Sequence, residues 1–257
     1  MGETKLVPHI THKLRGFAKL QDPAERWLEQ LASQNHLNLR PRVDLLRQGD
    51  STGSMHILID GWAIRYKTLE DGRRQILSVL IPGDVFDING FMASSMDHSI
   101  AALTGVTLAR LDNDFLDIAR REHSGLERAL WCDIHVTAAV QREWSTSLGQ
   151  RTARERMAHL MCELYVRQHQ AKLTDGNRCS FPLTQIELAE ALGMTPVYVN
   201  RTLQDLRREG MIQLEHRMLT IFDLPQLKRI ALFDSSYLKI CDDDGGSSPD
   251  KESGYVL

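Results

Sequence analysis

Apolar residues recur along this chain with two different periods, and the change from one to the other divides it into blocks. From Arg42 to Leu111 the runs are short and alternate with turn signals: Val43 to Leu46, Met55 to Ile59, Trp62 to Tyr66, Gln75 to Leu80 and Ser99 to Leu111. Alternation of this kind predicts strands. Asp71-Gly72 marks a hairpin turn between two of them and Pro82-Gly83-Asp84 marks another. Many short strands in about 75 residues predict a small double-sheet jelly roll or barrel. Ahead of it, residues 1–18 lack a clear period and predict a loose lead-in, whereas Pro23 to Leu39 carries Trp27, Leu28, Leu31 and Leu37 at helical spacing and predicts a cap helix or pair.

Beyond Asn113 the period is helical. A short helix is predicted to Arg121, and a long one from Ser124 to Leu148, on which Leu130, Ile134, Thr137, Gln141, Trp144 and Leu148 recur at alternating steps of four and three. That is a heptad seam, and a seam requires a facing helix, supplied either by a second copy or by the chain's own barrel. A two-fold dimer is the better fit. Gln150 to Gln170 predicts a further helix with Met157, Leu160, Met161, Leu164 and Tyr165 inward, followed by a polar connection from Lys172 to Phe181.

The most informative stretch is Leu183 to Gly210. Thr184 with Glu187 makes a capping box, and Ile186, Leu188, Ala189 and Leu192 give the helix that follows a buried side. Gly193 ends it, because the corner requires a left-handed backbone. Thr195 then caps a second helix with Pro196 at its first position, and Val199, Leu203 and Leu206 face inward. Pro196, Val197, Asn200, Arg201 and Gln204 are left on the outer face and near the start, the part of a recognition helix that reaches base edges in the major groove. Met211 to Leu214 and Met218 to Ile221 predict a hairpin around Glu215-His216-Arg217, which makes the motif winged. A last short helix spans Leu224 to Phe233, and Asp242 to Leu257 is expected to be disordered.

Charge alters this picture only when counted by segment. The chain carries a formal −3, yet Gly149 to Thr220 holds ten Lys and Arg against eight Asp and Glu, while Cys241 to Leu257 holds five acidic residues against one Lys. An acidic tail masks a mildly basic domain. Cys132, Cys162, Cys179 and Cys241 show no C-x-x-C spacing, so neither a disulfide framework nor a zinc site is expected, and a reducing cytoplasm is the expected location. No apolar run approaches the ~18 residues of a membrane span, and the first residues show no signal-peptide core. H-E-x-x-H, G-x-S-x-G, Walker and dinucleotide fingerprints are all missing, so no enzyme chemistry is expected.

A small jelly roll, a long dimerisation helix and a winged helix-turn-helix, in that order, resemble the cyclic-AMP receptor protein and fumarate–nitrate regulator family of bacterial transcription factors. Leu183 to Gly210, Arg154-Glu155-Arg156 to Tyr165, and Pro82-Gly83-Asp84 carry the resemblance, which covers roughly residues 20–235. It implies an α+β chain divided into a lead-in (1–18), a cyclic-nucleotide-binding-like sensory barrel (19–121), a dimerisation helix (122–148), the DNA-binding domain (149–224) and a terminal helix with an acidic tail (225–257). It also implies a homodimer on palindromic double-stranded DNA near promoters, with RNA polymerase as a further partner. The family's usual recognition pattern is Ser-x-Glu-Thr-Val-Ser/Gly-Arg; here it stands as Thr195-Pro196-Val197-Tyr198-Val199-Asn200-Arg201. Arg201 is retained to read a guanine, while Val197 in place of Glu suits a thymine methyl, so an essential G·C pair in a T·A-rich half-site is expected. Thr184 is expected at a phosphate, as are Arg207 and Arg208 unless they face solvent.

The barrel departs from the family's cyclic-nucleotide binders. Their Gly-Glu and Arg-Ser pairs are replaced by Asp87-Ile88 and His98-Ser99, so Asp87, His98 and Ser99 mark the possible effector pocket and cyclic AMP is not expected in its usual mode. The first cysteine is Cys132, which leaves an iron–sulfur cluster without N-terminal ligands; haem on His9, His56 or His98 is not expected, and no metal is. Cys132 and Cys162 read as apolar fillers ahead of a redox switch. The competing reading is a ligand- or redox-sensing adaptor whose helix pair, made apolar by Val197 and Tyr198, binds protein.

Overall fold

The computed structural model describes residues 8–34, 36–51, 53–86, 95–111 and 114–238. Two helices lead, α1 (Pro8–Arg15) and α2 (Asp22–Ala32), followed by β1 (His36–Leu39), β2 (Asp44–Leu46), β3 (Met55–Asp60), β4 (Ala63–Thr68), β5 (Arg74–Leu80), β6 (Val85–Phe86), β7 (Ser99–Ala102) and β8 (Val106–Leu111). The strands form two antiparallel four-stranded sheets, ordered β1-β8-β3-β6 and β2-β7-β4-β5. Leu58, Phe86, Ile100, Leu108 and their neighbours make one core cluster, while Met55, Ile57 and Ile59 of β3 join the larger core with the helices. Burial on both faces explains why β3 reads as a continuous apolar run. Gly61 (φ +85°) turns β3 into β4 where a Cβ would fall 2.1 Å from the Gly105 carbonyl oxygen, so only glycine fits.

The second half comprises α3 (Phe115–Glu122), the 27-residue α4 (Ser124–Gln150), α5 (Ala153–Gln170), β9 (Arg178–Ser180), α6 (Gln185–Leu192), α7 (Pro196–Arg208), β10 (Ile212–Glu215), β11 (Met218–Ile221), α8 (Leu224–Ala231) and a 3-10 turn at Ser235–Leu238. Only Arg151 and Thr152 separate α4 from α5; Arg151 is extended, and Thr152 begins α5 with a capping box to Glu155. Among the described residues no helix is long and apolar enough to cross a membrane, and no cluster of His, Cys, Asp or Glu has the makings of a metal site.

Four expectations need correction. Residues 8–15 are not part of a loose lead-in: α1 buries Ile10 and Leu14, because the long-range charge partners of Lys13 offset its burial. Leu37 does not continue a helix; it pairs with Leu108 on β8. The connection before the motif contains β9, which adds a third strand to the wing in the order β10-β11-β9. The heptad seam is rotated by about one residue, or ~100° of helix. Leu130 and Trp144 are buried within the same chain, Gln141 Nε2 donates to the Leu77 carbonyl at 2.9 Å, and Thr137 lines a cavity against the barrel. Ile134 is half-buried and Leu148 exposed; Trp131, His135, Ala138, Arg142 and Ser145 complete the exposed stripe.

Candidate nucleic-acid interface

Local chemistry builds α6 and α7 as the chain pattern predicts. Thr184 N donates to Glu187 Oε2 at 2.7 Å, and Glu187 N to Thr184 Oγ1 at 3.3 Å. Gly193 takes φ +60°, so this corner needs glycine for its backbone, and an added Cβ would lie 3.2 Å from Leu148 Cδ2 on α4. Thr195 Oγ1 accepts from Tyr198 N at 3.3 Å, and Pro196 occupies the first turn. Val199, Thr202, Leu203 and Leu206 hold α7 against the core.

The opposite face of α7 is open. Val197 is 82% exposed; Pro196, Arg201 and Gln204 are exposed, Asn200 is half-buried, and Thr184 is exposed at the start of α6. Arg201 has no hydrogen bond or ion pair among the described residues, so its guanidinium is available to an incoming acceptor. Ile186 belongs to this surface as well. Expected on the buried side of α6, it is 61% exposed, because Leu188, Ala189, Ala191 and Leu192 fill the inner face without it. Its alternation with polar Gln185 and Glu187 gave no period signal that would have found it. Arg207 and Arg208 are held by protein partners: Arg207 donates to the Leu214 carbonyl at 2.9 Å and Arg208 pairs with Asp205. The wing turn places His216 (φ +51°) and Arg217 (φ +62°) in left-handed backbone, exposed beside α7.

Behind the interface, the barrel, α4 and α5 meet around buried charge. Lys13 Nζ lies 2.7 Å from Asp84 Oδ1 and 2.6 Å from Asp133 Oδ1; Arg167 Nη2 lies 2.7 Å from Asp84 Oδ2, and Arg167 Nη1 lies 3.5 Å from Glu163 Oε1. Trp144 Nε1 and the Tyr237 hydroxyl donate to Glu163 at 3.2 and 2.9 Å. Two cations thus face three carboxylates. Burial opposes ionisation of Asp84, but Lys13 and Arg167 outweigh it and hold Asp84 below the usual carboxylate range. Burial dominates at Asp133 and Glu163 and pushes both up.

The expected effector residues are not assembled into an anion site among the described residues. His98 Nδ1 is taken by Asp97 at 2.7 Å, and Ser99 Oγ accepts from Gln48 N at 3.0 Å on β7; Asp87 lies outside the described residues. Cys162 and Cys179 are free and buried, and burial pushes each thiol up to about 12. Cys132 is disulfide-bonded, contrary to the expectation drawn from cysteine spacing.

Residues 155–230 match a Crp-like helix-turn-helix domain and residues 36–122 a cyclic nucleotide-binding domain. The chain is 31% identical over 193 residues to the transcriptional activator protein FnrL of Cereibacter sphaeroides, covering 73% of this chain and 76% of that protein. It is 27% identical over 213 residues to the nitrogen fixation regulation protein FixK of Bradyrhizobium diazoefficiens, covering 82% and 87%. Among solved structures, FixK2 from Bradyrhizobium japonicum shares the fold with a TM-score of 0.68 at 22% identity, over 76% of this chain and 96% of that one.

Proposed function

This chain belongs to the cyclic-AMP receptor protein and fumarate–nitrate regulator family of DNA-binding transcription regulators, and from that premise we propose that it acts as a homodimer reading a palindromic promoter site through α7. The observation that carries the reading is the α7 face itself: an unengaged Arg201 one turn from a fully presented Val197, on a helix whose cap and inner face are otherwise complete. Arg201 supplies two parallel donors to O6 and N7 of a guanine, and Val197 packs on a thymine methyl. Two copies associate through the exposed stripe of α4 from Trp131 to Leu148, which sets the separation of the two recognition helices at about 34 Å, one turn of the duplex. RNA polymerase is then the second macromolecular partner.

The barrel does not take cyclic AMP in the family's usual way. His98 is engaged by Asp97 and Ser99 by the Gln48 amide, so this pair does not offer a cyclic phosphate the guanidinium and hydroxyl of the family's Arg-Ser pair. Selection from a random duplex pool by the purified protein, without added ligand, tests both statements. Recovery of a palindrome with a G·C pair in each half-site is the expected result. A single non-repeated motif would remove the dimeric reading, and recovery of nothing until cyclic AMP is added would overturn the statement about the barrel.

A further inference from the structure

The barrel touches the helix-turn-helix directly through its β4–β5 hairpin. Arg74 Nε and Nη2 donate to Glu190 Oε2 at 2.9 and 2.6 Å, and Gln75 Nε2 donates to the Ala191 carbonyl at 3.3 Å. Both acceptors lie in the C-terminal half of α6, just before the Gly193 corner that leads into α7. We propose that Arg74 and Gln75 are positioning residues for DNA binding: they clamp α6, and through the short turn they set the direction in which α7 presents Arg201 and Val197. The proposal rests on α7 being the recognition helix.

Three features support a clamp that positions and does not block. Docking leaves Thr184, Val197, Arg201 and Gln204 exposed, so the reading face stays open while α6 is held. The covalent connection between the barrel's long helix and the DNA-binding domain is the two-residue break at Arg151-Thr152, a place where the domain can swing unless side contacts hold it. Arg74 is itself held in place: it lies over the Tyr66 ring at 5.2 Å, and the Tyr66 hydroxyl donates to Asp44 Oδ1 at 2.8 Å. A guanidinium fixed by stacking and using two of its nitrogens on one carboxylate oxygen has little freedom left to lose, which a lysine at this position would not reproduce.

The same contacts give the barrel a route to the DNA-reading helix. Tyr66 stands opposite Ser99 across the β4–β7 ladder, and Ser99 is the residue that the family resemblance marks for the effector pocket. A shift of β7 at Ser99 displaces Tyr66, Tyr66 displaces Arg74, and Arg74 carries α6. The links are a strand-ladder pairing, a cation–ring contact and a charge-assisted hydrogen bond, so the coupling needs no unfolding of either domain.

The test uses the full-length protein and a fluorescent duplex carrying its selected palindrome, with binding followed by anisotropy at one fixed salt concentration. Arg74→Ala is expected to weaken binding roughly five- to tenfold, the range of a charge-assisted pair that is partly screened, with the base preference unchanged. Glu190→Ala is expected to weaken it by the same factor, although it removes a negative charge; bulk electrostatics alone would tighten binding. The double variant should bind no worse than either single one, and the swapped pair Arg74→Glu with Glu190→Arg should regain most of the affinity. Backbone amides of residues 186–192 should exchange with deuterium faster in Arg74→Ala than in the parent. Wild-type affinity in Arg74→Ala, tighter binding in Glu190→Ala, or unchanged exchange in α6 would each overturn the clamp while leaving the DNA reading intact. A parent protein that binds no duplex at any salt would instead remove the DNA reading and the positioning role with it.

Discussion

Replacing Arg167 by Met removes one of the two cations from the buried cluster and keeps most of the side-chain volume. Arg167 donates to Asp84 Oδ2 at 2.7 Å and to the Val79 carbonyl at 3.1 Å, and it lies 3.5 Å from Glu163; the three side chains are 14%, 6% and 0% exposed. In the variant, Lys13 alone faces Asp84 and Asp133, and Glu163 keeps only its bonds from Trp144 and Tyr237. Breaking a buried pair by removing one member costs about 3–5 kcal/mol, because the remaining charge is left uncompensated. For a chain of this size, where each kcal/mol moves the midpoint by about 2–4 °C, Tm should fall by about 6–20 °C in a calorimetric or circular-dichroism melt. The sign of the pH dependence separates charge from packing. In the parent, Asp84 is held below its unfolded value, so its contribution is present above that value and is lost as pH falls through the depressed one. In the variant Asp84 keeps Lys13, but Glu163, already held above its unfolded value by burial, loses Arg167, the largest charge opposing that shift, and rises further, so stability grows as pH falls. The gap in Tm between parent and variant should therefore be narrower at pH 5 than at pH 8. A loss below about 3 °C, or a gap independent of pH, would refute this account of the junction.

Three further outcomes are expected. Arg201→Ala should lose about 1–3 kcal/mol of discrimination at the G·C position while the protein stays folded and dimeric, read by competition between matched and mismatched duplexes; retained preference removes Arg201 from base recognition. Trp131→Asp, at a 46% exposed position on the free stripe of α4, should weaken self-association by on the order of tenfold or more in sedimentation at micromolar protein, whereas Arg110→Asp on the barrel should not. Cys162 and Cys179, both pushed up to about 12, should resist alkylation in the folded protein at pH 8 and react on addition of denaturant; rapid labelling before unfolding would contradict their burial.

The helix pair was legible because its signals are local. Thr184 with Glu187, Gly193, and Thr195-Pro196 each act over three or four residues, and the structure uses each as the pattern implies. What escaped depends on partners distant in sequence. Lys13 makes α1 look solvated until Asp84 and Asp133 are brought to it, and Leu37 continues a helical period by accident while its backbone pairs with β8. The rotated seam on α4 has the same origin: a heptad fixes which residues share a stripe, but α5 decided that Trp144 would face inward to Glu163. Arg74 and Glu190, 116 residues apart, carry no sequence signal for each other.

The break at Arg151-Thr152 also has a mechanical meaning. With 18 residues rising about 1.5 Å each, α5 is a rigid rod of about 27 Å, jointed at Arg151-Thr152 and pinned to the barrel near its other end by Arg167 on Asp84. A tilt of about 7° over that length corresponds to roughly 3.4 Å, one base-pair step along the duplex, so the Arg167 pair sets how far the rod can turn. In the proposed dimer, two such rods convert a small change in angle into a change of whole base pairs in the operator length that both halves span together. A protein built this way works as a caliper, admitting one spacing and refusing its neighbours.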